Sequence, residues 1–111
     1  LLFTSPSNPT TPPNVTRIDV DPTQPVLQQL LQALHERQIQ SLLVEGGAEL
    51  HSHFIREGLW DEAHVETAPI LLRDGVRAAD LHSQGDAVRW SDRTDNKKHL
   101  LTVFFHRRQV L

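Results

Sequence analysis

The short apolar run Ser41-Leu42-Leu43-Val44 limits the possible architectures more than any other feature of the chain. It has no alternation of polar and apolar positions, the pattern of a strand covered on both faces and placed at the centre of a sheet. The run ends in Glu45-Gly46-Gly47 and passes at once into helical spacing. Leu50, Phe54 and Ile55 form an apolar stripe there, and Gly58 stands where the helix should stop. A buried strand that opens directly onto a helix is the building unit of an α/β protein with parallel pairing.

The flanking sequence extends this unit in both directions. Leu1-Leu2-Phe3-Thr4 reads as the end of a buried strand, and the four prolines between residues 5 and 13 make the next stretch a loop. Residues 15–20 are rich in β-branched side chains and alternate Val15, Arg17, Asp19 with Thr16, Ile18, Val20, which predicts a short strand. A helix from about Pro25 to Gln38 follows from the spacing of Val26, Leu27, Leu30, Leu31 and Leu34, with Thr23 as the expected N-cap. After Gly58, Leu59 and Trp60 are expected to pack back over the second helix. Residues 62–68 form a further strand with Ala63, Val65 and Thr67 on one face, and Pro69 ends it. Strand, helix, strand, helix, strand from 15 to 68 gives a parallel βαβαβ unit with right-handed crossovers.

The remainder differs in kind. Arg73-Asp74-Gly75 turns the chain, 76–86 is irregular, and residues 87–94 and 99–106 read as an antiparallel hairpin about a polar turn at 95–97. Leu100, Leu101, Val103, Phe104 and Phe105 leave neither face of the last strand polar. A terminal strand of this kind needs cover, from chain outside these residues or from a second subunit, so a homodimer through the hairpin is expected.

Composition excludes several function classes. At 111 residues the expectation is one domain, spanning 1–111, and with leucine at position 1 the chain is expected to be part of a longer product. With no cysteine there is no disulfide framework, thiolate zinc site or thiol nucleophile. A net charge of −3 with scattered Lys and Arg argues against a nucleic-acid surface, and no run approaches the ~20 apolar residues of a membrane span. The chain therefore reads as cytoplasmic. His51 and His53 diverge by about 200° on a helix and cannot chelate one ion, and the other five histidines show no ligand spacing, so no metal site is expected. Sequence order defines no Ser-His-Asp set. Asp61-Glu62 reads as the polar start of a strand.

Glu45-Gly46-Gly47 is the one constellation with evident chemistry. Glycines there permit a sharp turn and a close approach, and the unpaired N–H groups of a first helical turn attract anions. Two readings stay open: a phosphate cradle, or a tight turn that simply needs small residues. Glu45, at the mouth of the sheet, could accept hydrogen bonds from sugar hydroxyls or a ring N–H, or cap nearby backbone donors. Glu49 suits the helix dipole but would repel a phosphate at close range, so its side chain should point aside.

The strings Val44-Glu45-Gly46-Gly47-Ala48-Glu49-Leu50, Gly58-Leu59-Trp60-Asp61-Glu62 and Ala68-Pro69-Ile70-Leu71-Leu72 together resemble the reductase domains of the bacterial RibD riboflavin-biosynthesis family. The resemblance implies a dihydrofolate-reductase-like mixed sheet and NADPH-dependent reduction of 5-amino-6-(5-phosphoribosylamino)uracil, with hydride passing directly to the sugar carbon and no covalent nucleophile. It places Gly47, Ala48, Glu49 and Leu50 along the cofactor phosphates, gives Gly46 the turn, and faces Glu45 toward the substrate. No residue here is implied as catalytic in the chemical step. The chain departs from the family in two ways. The glycine expected after Leu72 is displaced to Gly75 by Arg73-Asp74, and an upstream half of the domain, sometimes preceded by a zinc deaminase, has no counterpart in these residues. The segment alone is therefore expected to be inactive. The competing readings are another dihydrofolate-reductase-like oxidoreductase acting on a different pterin or pyrimidine, and a noncatalytic scaffold.

Overall fold

Both helices form where apolar spacing and termination signals agree. In the computed structural model, which describes residues 1–5, 10–81, 85–92 and 99–107, α1 spans Val26–Glu36 and α2 spans Ala48–Arg56. The strands are β1 (Leu2–Thr4), β2 (Arg17–Asp19), β3 (Glu62–Thr67), β4 (Gly85–Asp92) and β5 (His99–His106). They make a mixed α/β chain with one parallel pair, β1–β2, and one antiparallel sheet of order β3-β5-β4. The chain divides into two units, Leu1–Leu43 and Val44–Leu111.

In the first unit, Leu2 pairs with Arg17 and Thr4 with Asp19, and the ladder is prolonged by the Val20 N–H donating to the Thr4 carbonyl at 2.9 Å. Leu27, Ala33 and Leu34 of α1 are buried with Val20, while Val26 is largely exposed. The buried face of the helix is thus turned slightly from the one the leucines alone suggest. Thr23 is not the N-cap. Pro25 occupies that position with no side-chain cap, and the Thr23 hydroxyl and N–H instead donate to Asp21 Oδ1 at 2.6 and 2.9 Å. An aspartate that bonds the backbone two residues on stabilises its own turn, which competes with capping. The Thr23 hydroxyl, then its N–H, hold the Asp21 carboxyl below its ordinary range. Gln29 closes the same turn from the helix, accepting from the Asp21 N–H at 2.8 Å and donating to its carbonyl at 2.9 Å.

The two helices end in the same way with different residues. At α1, the Gln38 N–H donates to the His35 carbonyl and the Ile39 N–H to Leu34. At α2, Gly58 donates to Ile55 and Leu59 to Phe54. Both are Schellman closures that need a left-handed residue, and Gln38 at φ 61° does what Gly58 does at φ 67°. Only the glycine adopts this region without a Cβ clash.

The expected central strand at 41–44 is corrected. Residues 39–47 carry no strand pairing, and Leu43 is 82% exposed. An apolar run becomes a strand only where neighbouring strands take its N–H and C=O groups and other side chains cover it, and the described residues supply neither. The parallel βαβαβ unit is corrected with it. β3 pairs antiparallel with β5, in the register Glu62–Phe105 to Thr67–Leu100, so β1–β2 is the parallel pair among the described residues.

The hairpin of β4 and β5 forms as expected, beginning at Gly85 rather than 87, with its turn at 95–97 outside the described residues. β5 is the central strand. Thr102, Val103 and Phe104 are buried, so the chain itself covers much of what an edge strand would have exposed, while Leu101 and Phe105 remain exposed. Trp60 packs on the sheet. Its indole lies 4.8 Å from the His106 ring, and it occupies the space a Cβ on Gly85 would need, with Cη2 at 2.9 Å. The left-handed turn at Gly58 directs the chain there. No helix among the described residues is long and apolar enough to cross a membrane.

Replacing Gln38 with glycine should remove the left-handed penalty at α1 and stabilise the chain by about 0.5–1 kcal/mol. A thermal unfolding midpoint raised by a few degrees is the expected reading, and an unchanged or lowered midpoint contradicts this account of the helix end.

Candidate functional site

The site is the passage from Val44 into α2. Gly47 is the N-cap, extended at φ −74° and ψ −165°, and no side chain caps the helix. The first intrahelical bond runs from the His51 N–H to the Gly47 carbonyl at 3.0 Å. The N–H groups of Ala48, Glu49 and Leu50 precede it and have no acceptor within the helix. The aligned peptide dipoles place partial positive charge at the same end.

The two glycines differ in what they do. Gly46 has φ +114°, and a Cβ built there would lie 3.0 Å from His51 Cε1, so backbone conformation and packing both demand glycine. Gly47 lies in a conformation open to any residue, and a Cβ there would meet nothing within 4 Å. The space in front of Gly47 is therefore open beyond its two chain neighbours. The peptide joining them is cis. Positive φ and packing account for Gly46, and an open face remains at Gly47 beside three free helix donors.

The carboxylates frame this face. Glu45 and Glu49 are exposed, and neither forms a hydrogen bond or ion pair with the described residues, so the capping alternative for Glu45 is not what the structure adopts. Ala48 is half-buried, and Leu50 is exposed. All six expected residues, Glu45 to Leu50, fall on one turn and the first helical turn after it.

His51 belongs to the same turn and had no signal in the sequence. Its Nε2 lies 2.8 Å from the Val44 carbonyl oxygen, seven residues back, and its ring covers Gly46. His53, two positions on, is exposed, and Ser52 bonds back to the Ala48 carbonyl at 2.8 Å. A histidine reaching the carbonyl that precedes a glycine turn cannot be read from spacing, because the turn's conformation sets the distance.

Backbone donors at a helix start, with an uncrowded glycine in front, are chemistry suited to a phosphate or diphosphate. The donor set thus fits a nucleotide cofactor. Among the described residues no group of histidine and carboxylate side chains is placed to hold a metal ion.

Comparison with known proteins supplies the context. A family model described as the RibD C-terminal domain matches residues 4–99. A riboflavin biosynthesis protein RibD from Bacillus amyloliquefaciens is 44% identical over 59 residues, covering 53% of this chain and 16% of that protein. Proteins of the same description from Aquifex aeolicus and Haemophilus influenzae are 31% and 33% identical, over 73% and 81% of this chain and 24% and 25% of theirs. The chain therefore spans between about a sixth and a quarter of the length of these relatives. No solved structure matches it significantly.

Alanine at the two glycines should separate their roles. Gly46→Ala is expected to cost about 1–3 kcal/mol, from its left-handed backbone and the His51 ring, and Gly47→Ala less than about 0.5 kcal/mol. Chemical denaturation of both variants measures this, and equal losses would contradict the distinction.

Proposed function

The chain belongs to the RibD C-terminal domain family, and from that membership we propose that it forms one wall of the NADPH site of a riboflavin-biosynthesis reductase. The observation that carries the reading is the open face of Gly47 at the uncapped start of α2. The N–H groups of Ala48, Glu49 and Leu50 would bind phosphate oxygens of the cofactor. Gly47 admits them to van der Waals approach, and Gly46 provides the turn. Glu49 remains exposed and turned to solvent.

The proposed substrate is 5-amino-6-(5-phosphoribosylamino)uracil. When bound, NADPH would supply a hydride to the sugar carbon, whose bond to the ring oxygen breaks while that oxygen takes a proton from solvent, giving the ribityl chain. The residues of this chain contribute orientation and electrostatics. Glu45, unpaired and exposed at the mouth of the turn, would accept hydrogen bonds from the substrate's hydroxyl or N–H groups. The fold proposed with this activity is the dihydrofolate-reductase-like mixed sheet, and the location is the cytoplasm. The 111 residues alone are proposed to be inactive. The relatives' name and their greater length support placing the rest of the pocket in sequence outside this chain.

Gly47→Asp in the full protein adds a side chain and a negative charge to the open face, and it should weaken NADPH binding by more than about tenfold, a loss above 1.4 kcal/mol. Unchanged affinity in a fluorescence titration would favour the scaffold reading, in which the glycines only turn the chain.

We further propose a homodimer through the C-terminal hairpin, where Leu101 and Phe105 are exposed beside the buried Val103. Solution mass at micromolar concentration should correspond to two copies, and a monomeric mass overturns the proposal.

A further inference from the structure

We propose that His51 is a positioning residue that holds the glycine turn in its ligand-ready form. The inference rests on the nucleotide-site reading above and adds a residue that reading does not use. The Val44 carbonyl oxygen can only accept, so the ring nitrogen 2.8 Å from it, Nε2, must carry the proton.

The geometry gives this bond a specific consequence. Residues 45–47 contain two glycines, have no side-chain cap, and belong to no strand, so the backbone there has more freedom to lose than any other segment near α2. His51 lies one turn inside the helix and reaches back across the turn to the carbonyl that precedes it. One end of the loop is thereby tied to the helix whose N–H groups form the donor set. The ring also packs over Gly46, where a Cβ would lie 3.0 Å from Cε1. Freezing the loop before a phosphate arrives removes an ordering cost from binding. Gly47 stays uncovered by the same ring, so the clamp fixes the turn without closing its open face.

The test uses the full chain and two variants. His51→Phe keeps a flat ring and removes the donor, and His51→Gln keeps an N–H donor without the ring. In the unsubstituted chain, long-range proton–nitrogen correlation should show His51 protonated at Nε2. His51→Phe should lower the backbone order parameters of Gly46 and Gly47 from about 0.85 to below about 0.6. It should also weaken NADPH binding about tenfold, with His51→Gln recovering part of both effects. A ring protonated only at Nδ1 overturns the proposal, and so does a folded His51→Phe with unaltered loop order and affinity. If His51→Phe fails to fold, the tautomer of the unsubstituted chain and the behaviour of His51→Gln decide it. If the loop loosens as expected but no form of the chain binds NADPH, the clamp stands and the cofactor reading fails.

Discussion

The hydrogen-bonded ladder along β5 is the constraint on which the unit from Val44 to Leu111 depends, because this strand is paired on both edges. β3 and β4 have no other partner among the described residues, and the buried side chains Val103 and Phe104 lie on β5 itself. The ladder continues past β3 through the His106 N–H donating to the Asp61 carbonyl at 3.0 Å. Asp61 follows Trp60, whose indole rests on His106 and Gly85. The end of β5 therefore fixes the point at which the chain arrives from α2. Through the closure at Gly58, this point lies next to the helix whose other end carries the candidate site.

Four of this unit's five glycines divide the labour by different physical means. Gly58 and Gly46 are required by positive φ, Gly85 by the edge of the Trp60 indole, and Gly47 leaves open space in front of it. That last case carries functional information. Open space at an uncapped helix start leaves room for a group outside the polypeptide. Gly46 illustrates the converse, since a residue can sit in a functional loop for wholly structural reasons. His51 connects the two, packing over one glycine while leaving its neighbour open.

Legibility in the sequence followed the range of the interaction involved. Helix α2, its stop at Gly58, the strand at 62–67 and the terminal hairpin rest on local periodicity and turn chemistry, and all were readable. The strand expected at 41–44 was not, because composition says only that Leu42 and Leu43 would gain from burial. Whether they are buried depends on strands that no local pattern specifies. The same holds for Trp60, whose contacts are with residues more than 20 positions away. Thr23 failed as a cap for a local reason: Asp21 competes for its hydroxyl and N–H.

The sequence by itself determined the class of fold, the positions of both helices, the family, and the stretch Glu45 to Leu50 as the place to look for chemistry. These are properties of short-range spacing and residue identity, and they survive without knowledge of any long-range contact. Only the tertiary structure decided that β3 joins β5 rather than a parallel neighbour, and that β5 is central. It also assigned the turn to Gly46, left Gly47 open, and brought His51 to the Val44 carbonyl. Those outcomes depend on distances set by backbone conformation and non-local pairing, which a linear pattern of residues does not encode.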